Sequence, residues 1–228
     1  MTPPKPAARP RSEPRVGRPP LVDREAIVRA AVEVGFDRVA MTTVGERLGV
    51  KHSALYRYFA TRDALVAAAV DSVVDAATWP DPGPGLDWRG YLSEFAWCNF
   101  RLMERHPGLA EQIVSLRVAS QAYSREAHRA AAALGDRGFR PADAILAQDL
   151  VGEQVLFFFL VGRRAGDAHA TTDEVARLRR DLMAEPPPGT SDEVRDAMAE
   201  AVAARPDTWF ARKLDVVLDG LERLAPRQ

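Results

Sequence analysis

An all-α fold follows from three features of the sequence. Ala and Leu are abundant, Gly and Pro fall largely between segments, and no alternating apolar run with hairpin turns occurs. The 228 residues, 46% hydrophobic and 28% charged, suffice for a full core and exclude a wholly disordered or collagen-like chain. The single cysteine, Cys98, excludes a disulfide-stapled domain. The longest strongly apolar run, Val155 to Val161, is seven residues, against roughly 20 for a membrane-spanning helix. No apolar segment follows the basic N-terminus, so no signal peptide is expected and the chain is read as cytoplasmic, without a membrane partner.

Residues 1–22 hold seven prolines and five Lys/Arg, which read as a disordered basic arm. Within it, Gly17-Arg18-Pro19 is either a minor-groove hook or part of a proline-rich spacer. Asp23 caps a first helix that presents Ile27, Val28, Ala31 and Val34 and ends at Gly35. Short helices follow at about 41–48, ended by Gly49, and about 52–59. Thr61 caps a longer helix to about Ala77, and the breaker Pro80–Gly85 follows it. Asp87 caps a helix to Arg105, stopped by His106-Pro107-Gly108. Helices at about 108–117 and 120–134 come next, the second closed by Gly135. Pro141 opens a helix to about Arg164. Thr171 and Glu174 form a capping box, and Ser191 starts a helix after Pro186–Gly189. The last helix, about 207–224, carries Phe210, Leu214, Val217, Leu221 and Leu224 as a packing seam. The organisation is then an arm (1–22), a first helical domain (23–78) and a helical body (86–228).

Charge is divided along the chain. Residues 1–62 carry twelve Lys/Arg against six Asp/Glu, and the remainder is net acidic. A basic end on an acidic body points to a polyanion: nucleic acid first, an anionic membrane surface second, with an inert solvated tail as the bland reading.

The segment Thr42 to Leu65, TTVGERLGVKHSALYRYFATRDAL, holds the parts of a helix-turn-helix: two short helices, a glycine corner at Gly49, then a third helix. Val44, Leu48 and Val50 are placed to meet Leu55 and Phe59. The second helix then offers Lys51, His52, Ser53 and Ala54, with Arg57 one turn on, to base edges or phosphates. Tyr56, Tyr58 and Phe59 have a core reading as well as a surface one; helical spacing sets Tyr58 apart from Leu55 and Phe59.

The pattern Gly49-Val50-x-x-x-x-Leu55-Tyr56-x-Tyr58-Phe59-x-Thr61-Arg62-x-x-Leu65 resembles the tetracycline-repressor (TetR) family of bacterial transcriptional regulators. Gly17–Leu21, His106–Leu109, Gly138–Ala142 and Leu214–Leu221 extend the resemblance into the body. The resemblance implies DNA contacts by Thr42 from the first motif helix and by His52, Ser53, Ala54 and Arg57 from the second. Backbone contacts by Tyr56, Tyr58 and Arg62 follow by position, with Thr43 and Lys51 alongside. Three departures stand out. Ala40 occupies a position where the family usually has a capping Ser or Thr, so Thr43 with Glu46 would start that helix later. Lys51 replaces a frequent Ser. The first helix is about one turn short.

In the body, helix 87–105 is apolar on more than one face, which marks it as buried. The resemblance implies that it lines a small-molecule cavity, with Trp88, Leu92, Phe95, Asn99, Met103, Gln121 and Gln148 as candidate contacts and Tyr123 beside them. The resemblance also implies a homodimer through helices 141–164 and 207–224, supplied by Leu150, Phe157, Phe158, Trp209, Phe210, Leu214, Val217 and Leu221. Independently, three consecutive phenylalanines on one helix cannot all face one core. No catalytic, metal-ligand or cofactor motif is present: the four histidines are scattered and Cys98 has none near it in sequence. The expected function is a ligand-responsive repressor, not an enzyme, that binds a double-stranded pseudo-palindromic operator as a homodimer and is released by a small molecule. The alternatives are a small-molecule-binding or scaffold protein that uses the motif for protein contacts, and a helical enzyme.

Overall fold

The computed structural model describes residues 22–115, 119–164 and 187–226. The Gly17-Arg18-Pro19 segment and the Thr171–Glu174 capping box lie outside the described residues. Among the described residues there are nine α-helices, one 310 helix and no strand.

Helix α1 (Arg24–Val34) begins where the Asp23 carboxylate accepts the Ala26 N–H at 2.7 Å and buries Ile27, Ala30 and Ala31. Helix α2 (Met41–Arg47) starts at Met41, as the 41–48 range has it, and not later, as a Thr43–Glu46 capping box would require. Ala40 has no side chain to cap with, but the Thr43 hydroxyl reaches back and accepts the Ala40 N–H at 2.9 Å. The second motif helix is a 310 helix (His52–Arg57) rather than an α-helix. Lys51 offers no capping acceptor, and the turn tightens to i→i+3 bonds such as Ala54 N–H to Lys51 C=O at 2.9 Å.

Helix α3 (Arg62–Asp75) is capped by Thr61, whose hydroxyl accepts the Ala64 N–H at 3.1 Å. Its buried residues Leu65, Val66, Ala69, Val70, Val73 and Val74 wrap more than one face, because α3 packs between α1 and α6. The 80–86 breaker is a fixed loop. Arg137, from the end of α6, donates to the carbonyls of Pro82 and Leu86, both at 3.0 Å, and lies 4.6 Å over the Tyr91 ring.

The body holds α4 (Trp88–Arg105), α5 (Leu109–Val114), α6 (Gln121–Asp136), α7 (Pro141–Arg164), α8 (Asp192–Ala203) and α9 (Pro206–Leu221). Asp87, Ser120 and Ser191 cap α4, α6 and α8. Helix α6 runs two residues past Leu134; the reversal comes at Gly138, with φ +91°, not at Gly135. Trp97, Phe100, Phe158, Phe159 and Phe210 form an aromatic cluster where α4, α7 and α9 meet, its closest ring pair, Phe100 and Phe210, at 4.8 Å. Such burial dominates core energetics. One continuous core runs from Ile27 of α1 to Leu221 of α9, so the N-terminal helices and the body share their packing.

Candidate nucleic-acid interface and effector cavity

The corner between α2 and the 310 helix is built on two glycines. Gly49 has φ +67°, a conformation that strains any residue with a Cβ. Gly45, which motif reading did not single out, sits where a Cβ would come 3.0 Å from the Val50 carbonyl. Val44, Leu55 and Phe59 are buried at the crossing. Arg24 stacks its guanidinium 4.2 Å from the Phe59 ring centre and donates to the Tyr58 carbonyl at 3.1 Å.

That packing leaves Thr42 of α2 and Lys51, His52, Ser53, Tyr56 and Arg57 at the 310 helix exposed. Their side chains make no hydrogen bond or ion pair among the described residues; His52 and Tyr56 meet edge to face at 6.4 Å. Ala54 is half-buried beside them. The face is therefore two cations, a histidine and three hydroxyls held by a buried apolar base, which is a set of free donors for phosphate or base edges.

Three predicted contacts have other employment. The Thr43 hydroxyl is used within its own turn, donating to the Arg38 and Ala40 carbonyls. The Tyr58 hydroxyl donates to the Val22 carbonyl at 2.6 Å and ties the start of the chain to the motif. Arg62 donates through Nε to the Val39 carbonyl at 2.9 Å and pairs with Asp63 at 3.2 Å. All three hold the motif together; for Tyr58 and Arg62 no local pattern reveals it, because their partners are 36 and 23 residues away.

In the body, Phe95, Tyr123 and Gln148 line a cavity of about 100 Å³ between α4, α6 and α7. Burial, with the Asp149 charge behind it, pushes the Tyr123 phenol far above its ordinary range, so it stays a neutral donor. The other predicted contacts do not line this cavity. Leu92, Asn99 and Met103 are fully packed in the core. Asn99 donates to the Phe95 carbonyl at 3.0 Å, and its Oδ1 has no partner among the described residues. Trp88 packs edge-on against Phe139, and Gln121 is exposed at the start of α6.

A larger cleft, about 630 Å³, opens between α1, the end of α3 and α4. Its walls include Arg29, Glu33, Trp79, Cys98, Arg101, Arg105 and His106. Trp79 borders both spaces. Burial pushes the Cys98 thiol up to about 11, which makes it a packing group rather than a nucleophile. Burial, then the charge of Arg105, lowers the His106 pKa below its usual value, so the ring is neutral near pH 7.

The cleft borders the contacts that join body to motif. Gly108, with φ +89°, lies so close to Phe36 and Asp37 that a Cβ would overlap their backbone. Gln112 donates to the Phe36 carbonyl at 3.1 Å, and His106 meets the Phe36 ring edge to face at 6.1 Å. On the opposite side, the Asp71 carboxylate accepts from the Ser120 hydroxyl at 2.6 Å and the Ala122 N–H at 3.0 Å.

The predicted interface residues divide. Phe157 is 61% exposed and Leu150 is 40% exposed on α7. Phe158, Trp209 and Val217 are half-buried against the same chain. Phe210, Leu214 and Leu221 are buried within it and cannot face a partner, because the α9 seam packs on α4 and α7. Leu146 and Val161 join Leu150 and Phe157 in an exposed stripe, and Val216 is exposed on α9.

Residues 24–69 match the model of the bacterial regulatory proteins of the tetR family, and residues 79–225 match the tetracyclin repressor-like C-terminal domain. The chain belongs to the TetR family. It is thus a ligand-responsive, DNA-binding transcriptional regulator. The class C tetracycline repressor of Escherichia coli is 28% identical over 214 residues, spanning 89% of this chain and 92% of that protein. Among solved structures, Streptomyces coelicolor ActR in complex with actinorhodin superposes with a TM-score of 0.72 at 21% identity, covering 90% of this chain and 99% of that one. TetR from Acinetobacter baumannii AYE gives 0.63 at 24% identity, with 90% and 100% covered.

Proposed function

We propose that this TetR-family chain is a homodimeric, cytoplasmic repressor of a pseudo-palindromic operator. Each subunit presents Thr42, Lys51, His52, Ser53, Tyr56 and Arg57 to one major groove, with half-sites one turn apart, about 34–36 Å. The observation that carries this is the unpartnered polar face of the 310 helix, held on the buried Val44–Leu55–Phe59 base.

The dimer forms through the exposed α7 stripe of Leu146, Leu150, Phe157 and Val161, with Val216 of α9 at its edge. Helix α7 over Pro141–Val161 is also long and apolar enough to cross a membrane by composition alone. Asp149 and Glu153 lie mid-helix, however, and each carboxylate costs about 2–3 kcal/mol in hydrocarbon. A second copy covers this stripe without that cost.

The effector occupies the space around Trp79, which separates the small cavity from the junction cleft. Relatives named for tetracycline and a neighbour solved with actinorhodin support a small organic effector. Binding there shifts α3 and the Gly108 contact, which changes the spacing of the two recognition faces. A useful coupling is about 1–3 kcal/mol, and it requires unequal affinity for the two spacings.

The test is selection of bound duplexes from a random pool at two salt concentrations. Enrichment of a pseudo-palindrome is expected. Salt-sensitive binding without enrichment overturns the operator reading and leaves a scaffold that meets DNA non-specifically.

A further inference from the structure

We infer that the junction cleft takes a small aromatic anion, gripped by Arg101 and Arg105 of α4 and by Arg29 of α1 across the gap. The inference deepens the effector reading above and rests on it for its regulatory consequence, though not for the binding itself.

Arg101 and Arg105 are one turn apart on α4, exposed, and line the cleft. Neither makes a hydrogen bond or ion pair among the described residues. Like charges at this spacing weaken a helix. Arg105 sits in the last turn of α4, where it complements the helix dipole; that does not account for Arg101 one turn earlier. An anion between the two removes the repulsion and uses their donors in charge-assisted hydrogen bonds. Arg29 faces them with only a loose, exposed pair to Glu25 at 3.7 Å.

The opposing charge in the walls is small. Of the carboxylates lining the cleft, Glu33 is already neutralised by Arg47 at 2.6 Å, which leaves Glu94. The floor is apolar: Val73, Leu102 and the Trp79 ring. Trp79 is fixed in place, its indole N–H donating to the Val74 carbonyl at 2.9 Å and its ring packed on Phe95 at 5.6 Å. A cleft of about 630 Å³ with an aromatic floor and guanidiniums on its rim suits a flat organic anion. Because Arg29 belongs to the DNA-binding end and the other two arginines to the body, the occupant bridges the two and holds one of their relative placements.

The test uses the full chain and two fluorescent probes of one shape, anilinonaphthalene sulfonate and its uncharged parent, phenylnaphthylamine. The wild type should bind the sulfonate about tenfold tighter than the parent, the yield of charge-assisted hydrogen bonds. Replacing both Arg101→Ala and Arg105→Ala should erase that preference, and Arg29→Ala should weaken the sulfonate about threefold. Ala76→Trp, at an exposed position of the cleft wall, should block both probes while circular dichroism shows the fold intact. Preference for the sulfonate that survives the double substitution overturns the inference, as does full binding of both probes to Ala76→Trp. Operator binding is measured separately. Arginine-independent probe binding with intact operator selection sinks only this inference. Arginine-dependent probe binding without any operator sinks only the regulator reading.

Discussion

The motif corner and the contact beside the junction cleft are both made from short segments around a left-handed glycine, yet they use it differently. At the corner, Gly49 turns the chain in open space, with nothing within 4 Å of a built Cβ. At the junction, Gly108 is pressed against Phe36 and Asp37 from a different part of the chain. The corner is a local device that displays side chains, whereas the junction is a tertiary contact that transmits movement. A substitution at the corner should therefore stay local, and one at the junction should not.

The largest expected effect lies outside both, at the exposed α7 stripe proposed to meet a second copy. Phe157→Asp should convert the dimer to monomer in sedimentation and lower affinity for a full operator by about 100-fold, since linked half-sites gain that much from each other. Gly108→Ala should cost about 2–4 kcal/mol in urea unfolding, from strained backbone plus overlap with Asp37. Gly49→Ala, strained but unobstructed, should cost only about 1–2 kcal/mol. Equal costs at the two glycines would erase the distinction drawn between them.

Smaller effects separate display from scaffolding within the motif. Lys51→Ala should lower the salt slope of DNA binding by about one, as expected for a lost phosphate contact. Arg62→Ala should leave that slope unchanged and lower stability by about 1 kcal/mol, since its donors hold Val39 and Asp63. A reduced slope in Arg62→Ala would return it to the DNA face.

The smallest effect is at the junction. The His106 pKa is lowered in the fold, so the unfolded chain takes up the proton first as pH falls. Stability from this group is full above about pH 6.5, the ordinary histidine value, and is lost as pH drops below it. His106→Gln should flatten that part of the stability profile measured by thermal unfolding.

The two regions also differ in how far the sequence reveals them. Caps at Asp23, Thr61, Asp87, Ser120 and Ser191 are satisfied within three residues, so local pattern places those helices correctly. The glycine corner and the exposure of Lys51 to Ser53 are equally local. The use of Tyr58 and Arg62 is not, because Val22 and Val39 become their partners only after folding. The cleft is beyond sequence for the same reason, being the space left between α1 and α4. The α9 seam shows the limit most plainly. Its 4-3-4-3 spacing announces a packed face, yet nothing in the spacing tells whether α4 and α7 of the same chain or a partner fills it. Phe210, Leu214 and Leu221 turn out to face inward.

The proposed repressor depends above all on the exposed 310 face reading DNA sequence. Repeating the random-duplex selection with His52→Ala and Arg57→Ala tests it most directly. Each variant should keep the half-site spacing but relax the preferred base at one position per half-site, a change of about 1–3 kcal/mol in discrimination. An unchanged consensus in both variants would contradict it.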